Sequence, residues 1–162
     1  MDRARVEQIA RNHKALAQSR ALRDIPDGDA VDAADGRRLE QLWKGLERDA
    51  TEYCDVYNRA FGAARIRSEF HGDTIVVRSE ADPEHTLVFR RTQPSHGHPA
   101  SVEAHRYHYT EPPLDLPVGL ARTAGTLNLT HRGEEVTPAE LVVELVTAFA
   151  EQLALADGDK DT

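Results

Sequence analysis

The stretch IRSEFHGDTIVVRSEADPEHTLVFRR, residues 66–91, decides the fold. Ile66, Ser68 and Phe70 alternate with Arg67 and Glu69, a period of two that belongs to a half-buried strand. HGD at 71–73 supplies a tight turn into TIVVRSE at 74–80. ADPE at 81–84 turns the chain again into HTLVFRR at 85–91. Three short strands joined by such turns make consecutive antiparallel pairs, a β-meander.

Downstream, a looser connection over 93–100 leads to SVEAHRYHYT at 101–110, a fourth strand. EPPLDLPVGLAR at 111–122 carries Leu114, Leu116, Val118 and Leu120 at alternate positions. Pro117 has no amide to give a ladder, so this piece reads as an edge strand or an extended arm. TAGTLNLTHRG at 123–133 is a further strand. Upstream, Leu39, Leu42, Trp43, Leu46, Ala50, Tyr53, Tyr57 and Phe61 recur at three- and four-residue steps and predict a long amphipathic helix over 37–61, stopped by Gly62. A last helix begins at Pro138 behind a Thr137/Glu140 capping box, with Leu141, Val142, Leu145, Val146, Phe149 and Leu153 as its buried stripe.

The termini are more polar. Val6, Ile9, His13, Leu16 and Ala17 give residues 1–25 a thin helical stripe. Residues 26–36, PDGDAVDAADG, read as an acidic flexible linker because aspartates, two glycines and a proline crowd together. Residues 157–162 read as a disordered tail, leaving one α+β domain over 37–156. The expected architecture is an α+β two-layer sandwich: an antiparallel meander of four or five strands with long helices packed on one face, in the order α-α-β-β-β-β-(β)-α.

Function is less legible. The 162-residue chain has a net charge of −8, which argues against nucleic acid, whose affinity for proteins comes largely from basic surface. No apolar run reaches the roughly 18 residues of a membrane span, and residues 1–14 lack the apolar stretch of a secretory signal. The single Cys54 cannot close an internal disulfide; nothing basic adjoins it, so a buried structural thiol is expected. Lysine is scarce beside arginine. These features together predict a bacterial, cytoplasmic protein without a cofactor.

Four of the eight histidines, His96, His98, His105 and His108, fall within 95–113. His96, His98 and His105, with Glu103, are the weak metal candidates; His108 lies an odd number of residues from His105, which puts it on the other face of a strand. Their spacing matches no zinc module, and no metal site is expected. Glu103, His105, Tyr107 and Tyr109 are the candidate ligand-binding groups. Alternation assigns Arg65, Arg67, Arg78, Arg90 and Arg106, with His108, to the outer sheet face, a candidate partner surface on which Glu69 and Glu80 are close enough to pair. No nucleophile motif or phosphate loop appears, which points away from an enzyme. The resulting expectation is a non-catalytic protein-interaction or regulatory module that pairs with itself as a homodimer or with another protein. The alternative is a small-molecule-binding domain or enzyme using a cleft near residues 102–110.

Overall fold

The structure, a computed structural model, describes residues 25–108 and 111–161, with side chains over 31–108 and 111–154. The element order is helix α1 (Ile25–Phe61), strands β1 (Ile66–His71), β2 (Thr74–Ser79), β3 (Thr86–Thr92), β4 (Ser101–His108), β5 (Glu111–Leu116), β6 (Val118–Thr123), β7 (Thr126–His131) and β8 (Glu134–Val136), then helix α2 (Pro138–Asp161). Strands β1 to β5 form one antiparallel meander in sequence order, and β6 to β8 form a second, three-stranded sheet. The chain is α+β, as its alternation and helical stripes imply. The described residues divide into two compact units, one of residues 25–39 with 93–100, the other of residues 40–92 with 101–108 and 111–161. The sites described below lie in the second.

Register fixes which side chains share a face. Ile75 sits opposite Phe70 and Phe89, Val77 opposite Ser68 and Leu87, and Phe89 opposite Ala104. Ile66, Ile75, Val77, Leu87, Phe89, Val102 and Ala104 on this face are buried. Helix α1 lies against it: the Arg91 guanidinium, two places beyond Phe89, stands 5.1 Å from the centre of the fully buried Trp43 ring. Helix α2 contributes Leu141, Val142, Leu145, Val146 and Phe149 to the core. Its start is held by the reciprocal capping box, with the Thr137 amide donating to Glu140 Oε1 at 2.8 Å and the Glu140 amide donating to Thr137 Oγ1 at 3.1 Å. Helix α1 stops at Gly62, whose φ of 92° and amide bond to the Asn58 carbonyl make the expected left-handed end.

Four departures from the sequence reading have physical causes. Residues 26–36 are not a linker; they open α1. A proline is tolerated in a first helical turn, where the amide has no intrahelical partner, and aspartates near a helix N-terminus oppose the macrodipole favourably. Alanines 30, 33 and 34 supply helix propensity that offsets the two glycines. At the other end α2 runs on to Asp161 through the segment read as a tail. The stretch 111–122 is two strands in two sheets, divided at Pro117. Its carbonyl accepts the Arg132 amide at 2.8 Å, but without an amide of its own it cannot continue the ladder of β5. Finally, Arg106 pairs with Leu87, not with an outward residue, so Arg106 and His108 lie on the helix-facing side. The loop over 93–100 sets that register, and a one-residue difference inverts every side chain. The helix expected over residues 1–25 lies outside the described residues, apart from its last residue.

The hairpins of the second sheet use two-residue turns with positive φ at both positions: Ala124 (53°) with Gly125 (82°), and Arg132 (57°) with Gly133 (83°). These are the type I′ conformations whose twist suits a tight hairpin. Among the described residues, no helix is long and apolar enough to cross a membrane.

Candidate functional site

The outer face of the large sheet carries the predicted arginines Arg67, Arg78 and Arg90, and two of them are engaged by carboxylates. Arg67 donates to Glu69 at 2.8 Å and to Glu80 at 2.7 Å, and Arg78 reaches Glu69 at 3.2 Å. Hydrogen bonds from Arg67, then from Arg78, hold the Glu69 carboxyl at about 2, well below the usual carboxylate range. Arg65 precedes β1 and lays its guanidinium 4.7 Å over the Phe61 ring. Arg106 belongs to the opposite face. The five arginines therefore do not form one surface.

On β4, Glu103, His105 and Tyr107 share the outer face by alternation. His105 Nδ1 lies 2.7 Å from Asp115 on β5, and its Nε2 lies 3.5 Å from Glu103. A histidine oriented by a carboxylate is one half of an acid–base pair. Here both carboxylates are more than half exposed, 83 % for Asp115 and 54 % for Glu103, so water competes for the same imidazole. Tyr107 is 6.1 Å from His105, ring centre to ring centre. Tyr109 lies outside the described residues. His96 and His98 are exposed on a turn closed by mutual backbone hydrogen bonds between Ser95 and His98 at 2.7 and 2.9 Å.

A different set of residues converges at the β2–β3 turn. Ser79 Oγ accepts the Asp82 amide at 3.0 Å, and the Asp82 carbonyl accepts the His85 amide at 2.9 Å, so Asp82 and His85 are fixed on one short turn. Thr86 pairs with Tyr107. One further step of that register sets His85 opposite His108. The two rings meet edge to face with centres 4.8 Å apart, and Phe149 of α2 closes on His85 edge-on at 5.1 Å. His108 Nε2 lies 3.4 Å from Asp82 Oδ2. Burial first, and the neighbouring His108 second, hold His85 below its ordinary value; Arg106 acts in the same direction, while Asp82 and Glu111 oppose it. Opposite Arg106 to His108, β5 takes three steps from Leu114 to Glu111 against two on β4, a bulge in β5 beside this cluster. Among the described residues, the one set of three histidine, cysteine or acidic ligand atoms lying within 4.8 Å of one another is Asp82, His85 and His108. It contains none of His96, His98 and His105.

The third feature is an apolar groove between α1 and α2. It is lined by Asp49, Glu52, Tyr53, Val56, Ala139, Val142 and Val143, with a cavity volume near 220 Å³. Val56 and Val143 are each 53 % exposed, on helices whose other apolar residues are mostly covered. The helices are tied across it by the Tyr53 hydroxyl and Thr147 Oγ1 at 2.8 Å. On α1, Tyr53, Tyr57 and Phe61 stack in succession at 6.1 Å spacings. Asp49 Oδ1 accepts from Arg48, while its Oδ2 is buried and has no hydrogen-bond partner among the described residues. The sequence foresaw a broad apolar face on this helix but not this carboxylate, because Asp49 reads as one more polar residue between apolar ones.

Comparison of the chain with protein-family models, with characterised proteins and with solved structures found no match in any of the three.

Proposed function

We propose that this is a non-catalytic protein-interaction module of the bacterial cytoplasm, which self-associates by receiving residues 1–24 of a second copy in its α1–α2 groove. The observation that carries the reading is the groove: half-exposed Val56 and Val143, with Asp49 and Glu52 beside them. Its volume falls short of the roughly 300–1,000 Å³ of a small-molecule pocket. It fits one or two aliphatic side chains, the scale of an amphipathic helix laid in a groove. Asp49 and Glu52 put two carboxyl groups on the groove's lining, which favours a basic group on the occupant. Residues 1–24 have the complementary chemistry. Val6, Ile9 and Leu16 stand at helical spacing, and six basic residues (Arg3, Arg5, Arg11, Lys14, Arg20, Arg23) face three acidic ones (Asp2, Glu7, Asp24). An acidic groove meeting a segment of net positive charge favours the encounter.

The test is the mass of the full-length protein in solution by light scattering at about 100 µM. A dimer is expected, reduced to a monomer by the double substitution Val56→Glu and Val143→Glu and weakened by added salt. A full-length protein that is monomeric at that concentration, or a dimer that the double substitution leaves intact, overturns the reading.

A further inference from the structure

The turn that joins β2 to β3 brings together three groups that the reading above does not use. We propose that Asp82, His85 and His108 bind one divalent transition-metal ion of the zinc type through two imidazole nitrogens and one carboxylate oxygen. Two histidines and one carboxylate are a donor set of borderline softness, suited to zinc, iron or cobalt and ill suited to calcium or magnesium, which take oxygen. The geometry is close to what such an ion needs. Bonds of roughly 2.0–2.2 Å at tetrahedral angles put ligand atoms about 3.3 Å apart. Asp82 Oδ2 and His108 Nε2 already stand at 3.4 Å, and no pair in the set exceeds 4.8 Å.

The remaining contraction falls on side chains that can turn. Asp82 and His108 are 26 % and 25 % exposed, whereas His85 is buried and held by Phe149. The site thus has one fixed ligand and two adjustable ones. The backbone supports the same arrangement: Ser79 fixes the Asp82 turn, and the β3–β4 register sets the two histidines opposite each other. Three protein ligands leave at least one coordination position open for water or for a donor from another molecule. Glu111, the register partner of His108 on β5, is the adjacent carboxylate. Arg106, on the same face as His108, is a cationic group whose charge opposes the ion.

Calorimetric titration of the full-length, tag-free protein with zinc sulfate, after treatment with a chelator, tests the assignment. Cobalt(II) in place of zinc reports coordination through its visible absorption. One ion per chain is expected, with cobalt bands of the intensity given by a four-coordinate site. Asp82→Asn and His108→Gln change only partly exposed side chains, so circular dichroism without metal should match the parent. Each should weaken zinc at least about 100-fold, beyond the 10- to 100-fold that follows loss of a supporting residue. The double substitution His96→Gln and His98→Gln should leave binding unchanged. No saturable zinc binding, or binding that survives both cluster substitutions, or binding that disappears with His96 and His98, each overturns the proposal.

Discussion

Truncation of Trp43 to alanine is the most direct probe of the packing that places both helices on the sheet. Trp43 is fully buried and is the only tryptophan. An indole removes roughly 200 Å² from water, which at about 25 cal/mol per Å² amounts to ~5 kcal/mol. Loss of the Arg91 stack adds roughly 0.5–1 kcal/mol. Against this, the Trp43 Nε1 hydrogen is buried and lacks an acceptor among the described residues, and removing an unpaired donor returns about 1–3 kcal/mol. The net for Trp43→Ala is therefore about 3–5 kcal/mol, the usual range for a large aromatic in a core. At about 2–4 °C per kcal/mol for a chain of this size, the melting temperature should fall by about 6–20 °C. Trp43→Phe discriminates between the contributions. It keeps most of the apolar area and loses the orphan N–H, so it should cost less than about 1.5 kcal/mol. Urea unfolding followed by far-ultraviolet circular dichroism measures both variants without needing the tryptophan signal. A cost below about 1 kcal/mol for Trp43→Ala refutes its place in the core, and equal costs for the two variants refute the argument from the unpaired indole.

Three further outcomes follow from single residues. Burial, then the charge of Asp55, pushes the Cys54 thiol up from its ordinary 9.0 to about 12, against a weaker hydrogen bond with Ser68. Native protein at pH 8 should then react with iodoacetamide on the order of 1,000-fold more slowly than unfolded protein. Because the native thiol keeps its proton where the unfolded one loses it, folding stability should decline as pH rises from about 9 towards 12. Glu69 is the reverse case: its lowered value means stability present above the ordinary carboxyl value of 4.5 and lost as pH falls towards about 2. Glu69→Gln should flatten that acid limb in a melting-temperature series while costing no more than about 1 kcal/mol at pH 7, as expected of a partly exposed ion-pair network. Ala124 holds a φ of 53° in a type I′ turn, where asparagine is preferred. Ala124→Asn should stabilise by roughly 0.5–1 kcal/mol in urea unfolding, and a destabilisation would contradict the turn assignment.

Much of the fold was legible because it is written in local chemistry. Alternation over 66–91 gave three strands in order, and the capping box and Gly62 marked the helix ends where the structure has them. What escaped was decided by competition. The aspartates and glycines of 26–36 are turn formers by composition, yet at the start of a helix the same aspartates are favourable, and α1 extends through them. Pro117 signalled a break correctly, but a missing amide cannot say that the chain leaves one sheet for another. That depends on Val118–Thr123 finding β7 as a partner through the turn at Ala124 and Gly125.

The histidine cluster shows why a site can be less legible than the fold that carries it. Counting along one strand correctly separated His105 from His108, since side chains an odd number apart face opposite ways. Alternation alone does not say which of the two faces the core, and the pattern of 101–110 reads equally well with His108 and Arg106 outward. The register across residues 93–100 reverses that assignment: Ala104 faces Phe89 in the core, so His108, four residues on, shares the helix side. His85, meanwhile, appeared only as the first residue of an apolar strand. Its position opposite His108 depends on pairing across a 22-residue interval, and its burial depends on Phe149, a residue of the last helix. A cluster of histidines in sequence therefore spread across several environments, while two histidines distant in sequence met beside one aspartate. Chemistry that needs convergent donors is set by strand register, and register is the property that alternation leaves free to slip by one.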